Sequence, residues 1–326
     1  MKNGSGAIPA VAVALLLAIV HVIAIFGPTG VGKTAVAVAL AERLRGCGEQ
    51  PLAVSADALQ VYRGLELLTG AASAGEQERL EHRLISFVTP RESFSAGLYA
   101  PLAHEEIDSA LAAGRRPLVV GGTGLYLQAA LTDLELRPPP RPSLRERIEL
   151  EVDQRGAPAL HAELAERAPA TAVRIDPRDR TRVVRALELI EMGEEPAPVG
   201  SDSRLWTARM RHPTLLFGLT MERAALYARI DARVDEMVAG GARDQVRAIE
   251  AAGVSRAARA ALGFEELLSG DLESMKQRTR NLAKRQLAWM RRLEDVHRIE
   301  VTDGDAESAA GRIAHILAAR PGEAQD

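Results

Sequence analysis

Only one cysteine, Cys47, occurs in the 326 residues. That excludes an intrachain disulfide framework and a zinc site built on cysteines, and it suits a reducing, cytoplasmic compartment. Aromatic residues make up 3% of the chain against 47% hydrophobic overall, so the core must be aliphatic. Lysine is nearly missing. It stands only at 2, 33, 276 and 284, which leaves 37 arginines among the 41 basic residues. A formal net charge of −3 excludes a protein that is basic all over; recognition of a polyanion would have to come from local clusters. Compositional bias explains most of the arginine preference, so position has to carry any claim about phosphate. Ala7 to Phe26 is apolar except for Pro9 and His21. Its last part is needed as a strand, and Ala7–Ile19 is too short to span a bilayer. Residues 1–19 therefore read as an N-terminal extension, with no convincing cleavage site for a secretory signal.

Against these absences, Gly27-Pro28-Thr29-Gly30-Val31-Gly32-Lys33-Thr34 spells G-x-x-x-x-G-K-T. A β-rich apolar run, Val20–Phe26, precedes it and a helical pattern, Ala35–Leu44, follows, which is the context a phosphate-binding loop requires. Glycines let successive backbone N–H groups turn onto a phosphate, and a helix N-terminus adds its dipole. Lys33 would reach the phosphates and Thr34 would hold Mg²⁺, the one cofactor expected.

Strand and helix signals then alternate. Pro51–Ser55 reads as a strand delivering Asp57, and Glu81–Ser86 is a third apolar pulse. Ser95–Ala113 is a helix ended by Gly114. Pro117–Val120 is a buried strand turning through Gly121–Gly124 into another helix. Such alternation implies a parallel sheet with ligands at the carboxyl ends of its strands. Pro138–Pro140 breaks the pattern, and Ser143–Met192 is helical and charged throughout. Thr214–Leu219 looks like a strand returning to the sheet, Arg223–Glu294 is helical, and His297–Val301 is a last strand. The expected fold is α/β: a P-loop NTPase-like parallel sheet flanked by helices, with an all-helical insert. Residues 20–137 form the first part of the core, 138–211 the insert, and 212–326 the second part with basic C-terminal helices. The prolines at 138–140 and 196–198 look like hinges that let the insert close on its ligand.

Three constellations carry chemistry. Asp57 at a strand end can bind metal or accept a proton; Gln60, Tyr62 and Arg63 beside it offer an amide, a ring and a cation for gripping a base. Gly121-Gly122-Thr123-Gly124 permits close backbone approach and presents a hydroxyl. Lys276 to Arg292 holds seven cations and no acid, with Arg278, Arg285 and Arg292 at seven-residue spacing; this resembles a polyanion footprint more than a solvated face. Leu282, Ala283, Leu287 and Trp289 can form its packed side. A second cluster, Arg174, Arg178, Arg180, Arg182 and Arg185, lies in the insert and is diluted by Asp176 and Asp179.

Taken together, these residues resemble the bacterial tRNA dimethylallyltransferases, or tRNA isopentenyltransferases, over about residues 20–301. The likeness rests on G-P-T-G-V-G-K-T (27–34), S-A-D-A-L-Q-V-Y-R-G (55–64), V-G-G-T-G-L-Y (120–126), R-V-V-R-A-L-E (182–188), E-R-A-A-L-Y-A-R-I (222–230), L-G-F (262–264) and T-R-N-L-A-K-R-Q-L-A-W-M-R (279–291). It implies transfer of a five-carbon prenyl group from dimethylallyl diphosphate to N6 of the adenosine 3′-adjacent to the anticodon, in tRNAs reading codons that begin with U. The loop, Gly27 to Thr34, would hold the diphosphate, helped by Arg223 or Arg229. Asp57 is implied as general base on the amine, with Thr34 and Thr123 at the reacting groups. Asp57, Ala58, Leu59, Gln60, Thr123, Arg145, Arg182, Arg185, Arg278, Arg280, Lys284 and Arg285 would hold the anticodon stem-loop. The partners implied are tRNA and the prenyl donor, with a monomer and no protein partner expected.

Two departures stand out. The family often has Gly-Tyr-Arg or Gly-Tyr-Lys where this chain has Gly263-Phe264-Glu265, which puts one RNA contact in doubt, and Arg-Gln-Leu is more usual at Arg280-Asn281-Leu282. No zinc finger of the eukaryotic kind is found. Three other readings compete. A small-molecule kinase would share the loop and Mg²⁺ but would not need the 276–292 helix. An adenylate isopentenyltransferase should carry less insert. A non-enzymatic RNA-binding protein leaves Lys33, Thr34 and Asp57 unexplained.

Overall fold

The structure is a computed structural model and describes residues 22–134, 141–196, 209–301 and 305–319. The N-terminal extension, Pro138–Pro140 and Pro198 lie outside the described residues. Six strands, β1 (Val22–Phe26), β2 (Pro51–Ser55), β3 (His82–Arg83), β4 (Arg116–Gly121), β5 (Thr214–Thr220) and β6 (Val296–Glu300), form one sheet in the order β3-β2-β4-β1-β5-β6. Every pairing is parallel. β1, at the centre of the register, aligns Phe26 with Gly121 of β4 and with Gly218 of β5. Its five residues, Val-Ile-Ala-Ile-Phe, are all buried, as expected of a strand covered by helices on both faces. The core against it is aliphatic: Ile23, Ile25, Val36, Leu40, Leu118, Leu219 and Ile313 belong to one cluster.

The third apolar pulse contributes less than its sequence suggested. Only His82 and Arg83 pair with β2, because Leu84 and Ser86 take left-handed φ values of 58° and 48° that end an extended strand. The segment instead turns back, and the Ser86 and Phe87 N–H groups donate to the carbonyls of Gln60 and Val61.

The chain divides into two compact units, residues 135–204 forming the second. Its described part is helical: Pro142–Arg155, Ala157–Arg167 and Arg180–Glu191, around Ile148, Val152, Leu160, Leu164, Val183 and Leu187. Arg209–Arg211 belong with the sheet unit, where Met210 bridges to Thr132 and Arg211 pairs with Asp108 and Asp133. Among the described residues no helix is long and apolar enough to cross a membrane.

Candidate active site

β1 ends at Phe26 and delivers Gly27–Thr34 at the carboxyl edge of the sheet. Gly30 and Gly32 hold φ at 83° and 97°, which side chains rarely tolerate. The Val31 N–H donates to the Pro28 carbonyl at 3.3 Å, closing the loop on itself. The helix Lys33–Gly46 starts at once, with no acid in its first turn, so its amides and dipole face the loop mouth without competition. Lys33 Nζ arches back and donates to the carbonyls of Gly27 (3.0 Å) and Pro28 (3.1 Å). Burial pulls its ammonium down to about 8; the Asp57 carboxylate opposes that shift and Arg233 adds to it. An anion in the loop would favour the charged form of Lys33 that burial opposes.

β2 and β4 bring the acceptor side together. A Cβ at Gly121 would overlap the carbonyl of Ala56, so only glycine lets the two strand ends come this close. As a result Thr123 Oγ1 donates to Asp57 Oδ2 at 3.5 Å and accepts from the Ala58 N–H at 3.4 Å. Asp57 Oδ1 accepts from the Leu59 N–H at 3.0 Å, which holds the carboxylate at the strand end. Gln60 is engaged by the protein itself: Oε1 accepts from Ser55 Oγ at 3.0 Å, and Nε2 donates to the Gly70 carbonyl at 3.1 Å. The ring and cation expected to grip a base do not. Tyr62 is 1% exposed within a core of Leu65, Phe264 and Met275, and its hydroxyl accepts from the Phe94 N–H. Arg63 braces the Ser86 carbonyl at 3.0 Å. The strand ends before them, and both lie in the turn that follows.

Of the two arginines proposed for diphosphate, Arg229 lies on the loop, its Nε donating to the Gly30 carbonyl at 3.1 Å. Arg223 is exposed at the first residue of the helix Arg223–Ala239. Sequence reasoning missed Arg233. Its guanidinium fills the space over Gly70 where any side chain would stand. Burial lowers its pKa, and the first charge to oppose that is Asp57. The signal was present: Arg233 is four residues after Arg229, on the same helix face.

Thr34 stands half-buried at the second residue of its helix. Among the described residues no group of three His, Cys, Asp or Glu could hold a metal. A hydroxyl at a phosphate loop, with no carboxylate cage, fits Mg²⁺ of the kind whose remaining ligands are phosphate oxygens and water.

The basic helix is less free than its own segment implied. It runs Leu272–Met290, capped by Asp271, whose side chain accepts from the Ser274 N–H. Arg280 NH1 contacts both oxygens of Asp231 at 2.8 and 2.7 Å. Arg278 pairs with Glu266, and Lys276 with Asp235 and Glu273. The compensating acids come mostly from the neighbouring helices, which a count along one segment cannot see. Lys284 and Arg285 are exposed, and among the described residues no carboxylate pairs with either. Trp289 packs inward, its ring 5.0 Å from Phe26.

In the insert the arginines are also partnered. Arg145 grips Glu188 with two bonds, at 2.6 and 3.0 Å, and Arg185 reaches the same carboxylate at 3.2 Å. Glu188 is 0% exposed, so both cations neutralise a buried charge that would otherwise be costly. Arg180 pairs with Asp153 and Arg178 with Asp176. Arg182 pairs with Asp179, three residues before it, but its side chain stays 70% exposed. Exposed pairs of that kind hold weakly and can exchange for a phosphate.

A model of the family described as IPP transferase matches residues 60–293. The chain belongs to that family. The tRNA dimethylallyltransferase of Anaeromyxobacter dehalogenans strain 2CP-1 is 42% identical over 286 residues, covering 83% of this chain and 90% of that one. The tRNA dimethylallyltransferase of a Roseiflexus species is 38% identical over 306 residues, covering 90% and 97%. The crystal structure of the full-length tRNA isopentenylpyrophosphate transferase of Bacillus halodurans superposes with a TM-score of 0.65 at 33% identity, covering 91% of this chain and 95% of that one. The fold also accounts for the departure at Phe264-Glu265. Glu265 accepts from Arg259 at 2.5 Å, and the Arg259 guanidinium lies 5.7 Å from the Phe264 ring.

Proposed function

We propose that this enzyme transfers the dimethylallyl group of dimethylallyl diphosphate to N6 of the adenosine 3′-adjacent to the anticodon, in tRNAs reading codons that begin with U. The observation that carries the reading is the convergence of an anion loop with Asp57 and Thr123, which pair at 3.5 Å. A cationic donor cradle and a carboxylate acceptor site share one edge of the sheet.

The chemistry follows from the parts. The loop amides, Lys33 and Arg229 hold the diphosphate, and Arg233 adds positive potential on the Asp57 side. The N6 lone pair attacks C1 of the prenyl group as the C1–O bond breaks, and diphosphate leaves with that electron pair. The Asp57 carboxylate takes the proton that N6 loses, as a general base within hydrogen-bond reach. Thr123 Oγ1 keeps Asp57 turned toward the acceptor. Fixed donors aimed at the leaving group lower the barrier because they need no reorganisation as charge develops. Mg²⁺, with Thr34 as its protein ligand, would supply further neutralisation of the diphosphate. The base must leave its stack to reach Asp57. Exposed Lys284 and Arg285 on the sheet unit, and Arg182 on the insert, are the cations to hold the anticodon stem-loop; RNA phosphates supply most of such affinity.

Incubation with labelled dimethylallyl diphosphate and unmodified tRNA tests the reading. Label on an adenine N6 of tRNA is expected, with little on AMP. Phosphate transfer from ATP without prenyl product would favour the kinase alternative, and label only on AMP the adenylate transferase.

A further inference from the structure

The helix Leu272–Met290 buries Met275, Ala283, Gln286 and Met290 along one face. Three are apolar. The fourth is a primary amide, 8% exposed, and a buried amide is costly unless it is bonded. Gln286 is bonded at both ends, to two different parts of the site. Its Oε1 accepts from the N–H of Thr29, in the phosphate loop, at 2.8 Å. Its Nε2 donates at 2.8 Å to the carbonyl of Gly122, the residue before Thr123. There is no slack in this joint: a Cβ on Gly122 would stand 2.5 Å from Gln286 Nε2 and 3.2 Å from Lys33 Nζ. One turn along the same helix, Trp289 covers Gly124 and meets Phe26. The helix is thus seated on both glycine-rich turns at once.

We propose that Gln286 is a positioning residue that fixes the spacing between the donor loop and the Thr123–Asp57 acceptor pair. The inference rests on the function proposed above. Oε1 and Nε2 are each already bonded to the protein backbone, so binding of RNA or donor does not require the amide. It acts by holding two loops in register, and because Lys284 and Arg285 stand immediately before it on the helix, RNA held by this helix is aligned with both. A misplacement of about 1 Å between reacting groups can cost on the order of 10²-fold in rate, while each substrate still binds its own half.

Gln286→Met tests this, because it keeps the length of the side chain and removes both bonds. Single-turnover transfer should fall about 10²-fold, with the dissociation constants for tRNA and for inorganic diphosphate each within about threefold of wild type, a loss confined to the chemical step. If that variant does not fold, Gln286→Leu is read in the same way, since it too removes both bonds and adds no charge beside the loop. An unchanged single-turnover rate in a folded variant would overturn the proposal, as would a rate loss matched by an equal loss of tRNA or diphosphate affinity. Absence of prenyl transfer by the wild type would instead sink the function beneath it.

Discussion

The phosphate loop and the basic helix both looked decisive as sequence, yet they differ in what the fold does to them. The loop's chemistry is local. Gly30, Gly32 and Lys33 take their shape from eight consecutive residues, and the structure leaves that shape open to an anion. The helix's charge is not local. Arg278, Arg280 and Lys276 point at acids brought by other elements, so within the helix Leu272–Met290 the cations without a carboxylate partner among the described residues are Lys284 and Arg285. The insert repeats the second pattern, with Arg145 and Arg185 joined on the buried Glu188. A backbone motif survives folding because its turn and its Lys33 bonds close among sequence neighbours, with Gln286 and Arg229 joining from outside. A run of like charges invites acids from anywhere in the chain.

Three experiments press on that contrast. The largest effect should come from the insert. If Arg145 and Arg185 are there to neutralise Glu188, Arg145→Met takes the two-bond partner from a buried carboxylate and should cost about 3 kcal/mol, the scale for breaking a buried pair. A melting curve checks it, with Arg182→Ala as the near-neutral control. Equal, small effects of both variants would mean the arginine pair is only a surface decoration.

Next is the pH dependence of the loop. Burial pulls the Lys33 ammonium down to about 8, and a bound diphosphate favours its charged form. Affinity for inorganic diphosphate should thus be level below pH 8 and weaken above it, approaching about tenfold per pH unit. Calorimetric titration between pH 7 and 9 reads the slope, and it should vanish in Lys33→Met. A flat profile in the wild type would remove the buried ammonium from diphosphate binding.

The smallest effect separates free from paired cations on one helix. Replacing Lys284 and Arg285 by Ala should lower the log–log salt slope of tRNA binding by about 0.7–0.9 for each RNA phosphate that is no longer neutralised. Replacing Arg278 and Arg280 should change the slope less and lower the melting temperature more. The reverse order would show that RNA displaces the ion pairs.

How much could be read beforehand follows the same division. The alternation of apolar strands and helices, the phosphate loop, and the meeting of Asp57 with Thr123 at one sheet edge were legible, because strand ends of a parallel sheet share an edge. For Tyr62 the sequence alone allows a ring that grips a base or part of a structural turn, and only the tertiary fold shows it inside a core. β3 shrank to two residues because left-handed Leu84 and Ser86 are invisible in an apolar run. Arg233 and Gln286 were missed for opposite reasons. Arg233 had a spacing signal that went unused. Gln286 is a polar residue within a basic motif, and nothing in a linear reading shows that its amide faces inward to join two loops.

The most direct test of the central claim, that the Asp57 carboxylate is the general base of the transfer, is single-turnover prenyl transfer by Asp57→Asn with tRNA affinity measured alongside. The amide keeps the side chain's shape and removes its basicity. Transfer should fall about 10²–10⁴-fold, with the tRNA dissociation constant within about threefold of wild type. Wild-type transfer by this variant, or a rate loss explained entirely by weaker tRNA binding, would contradict it.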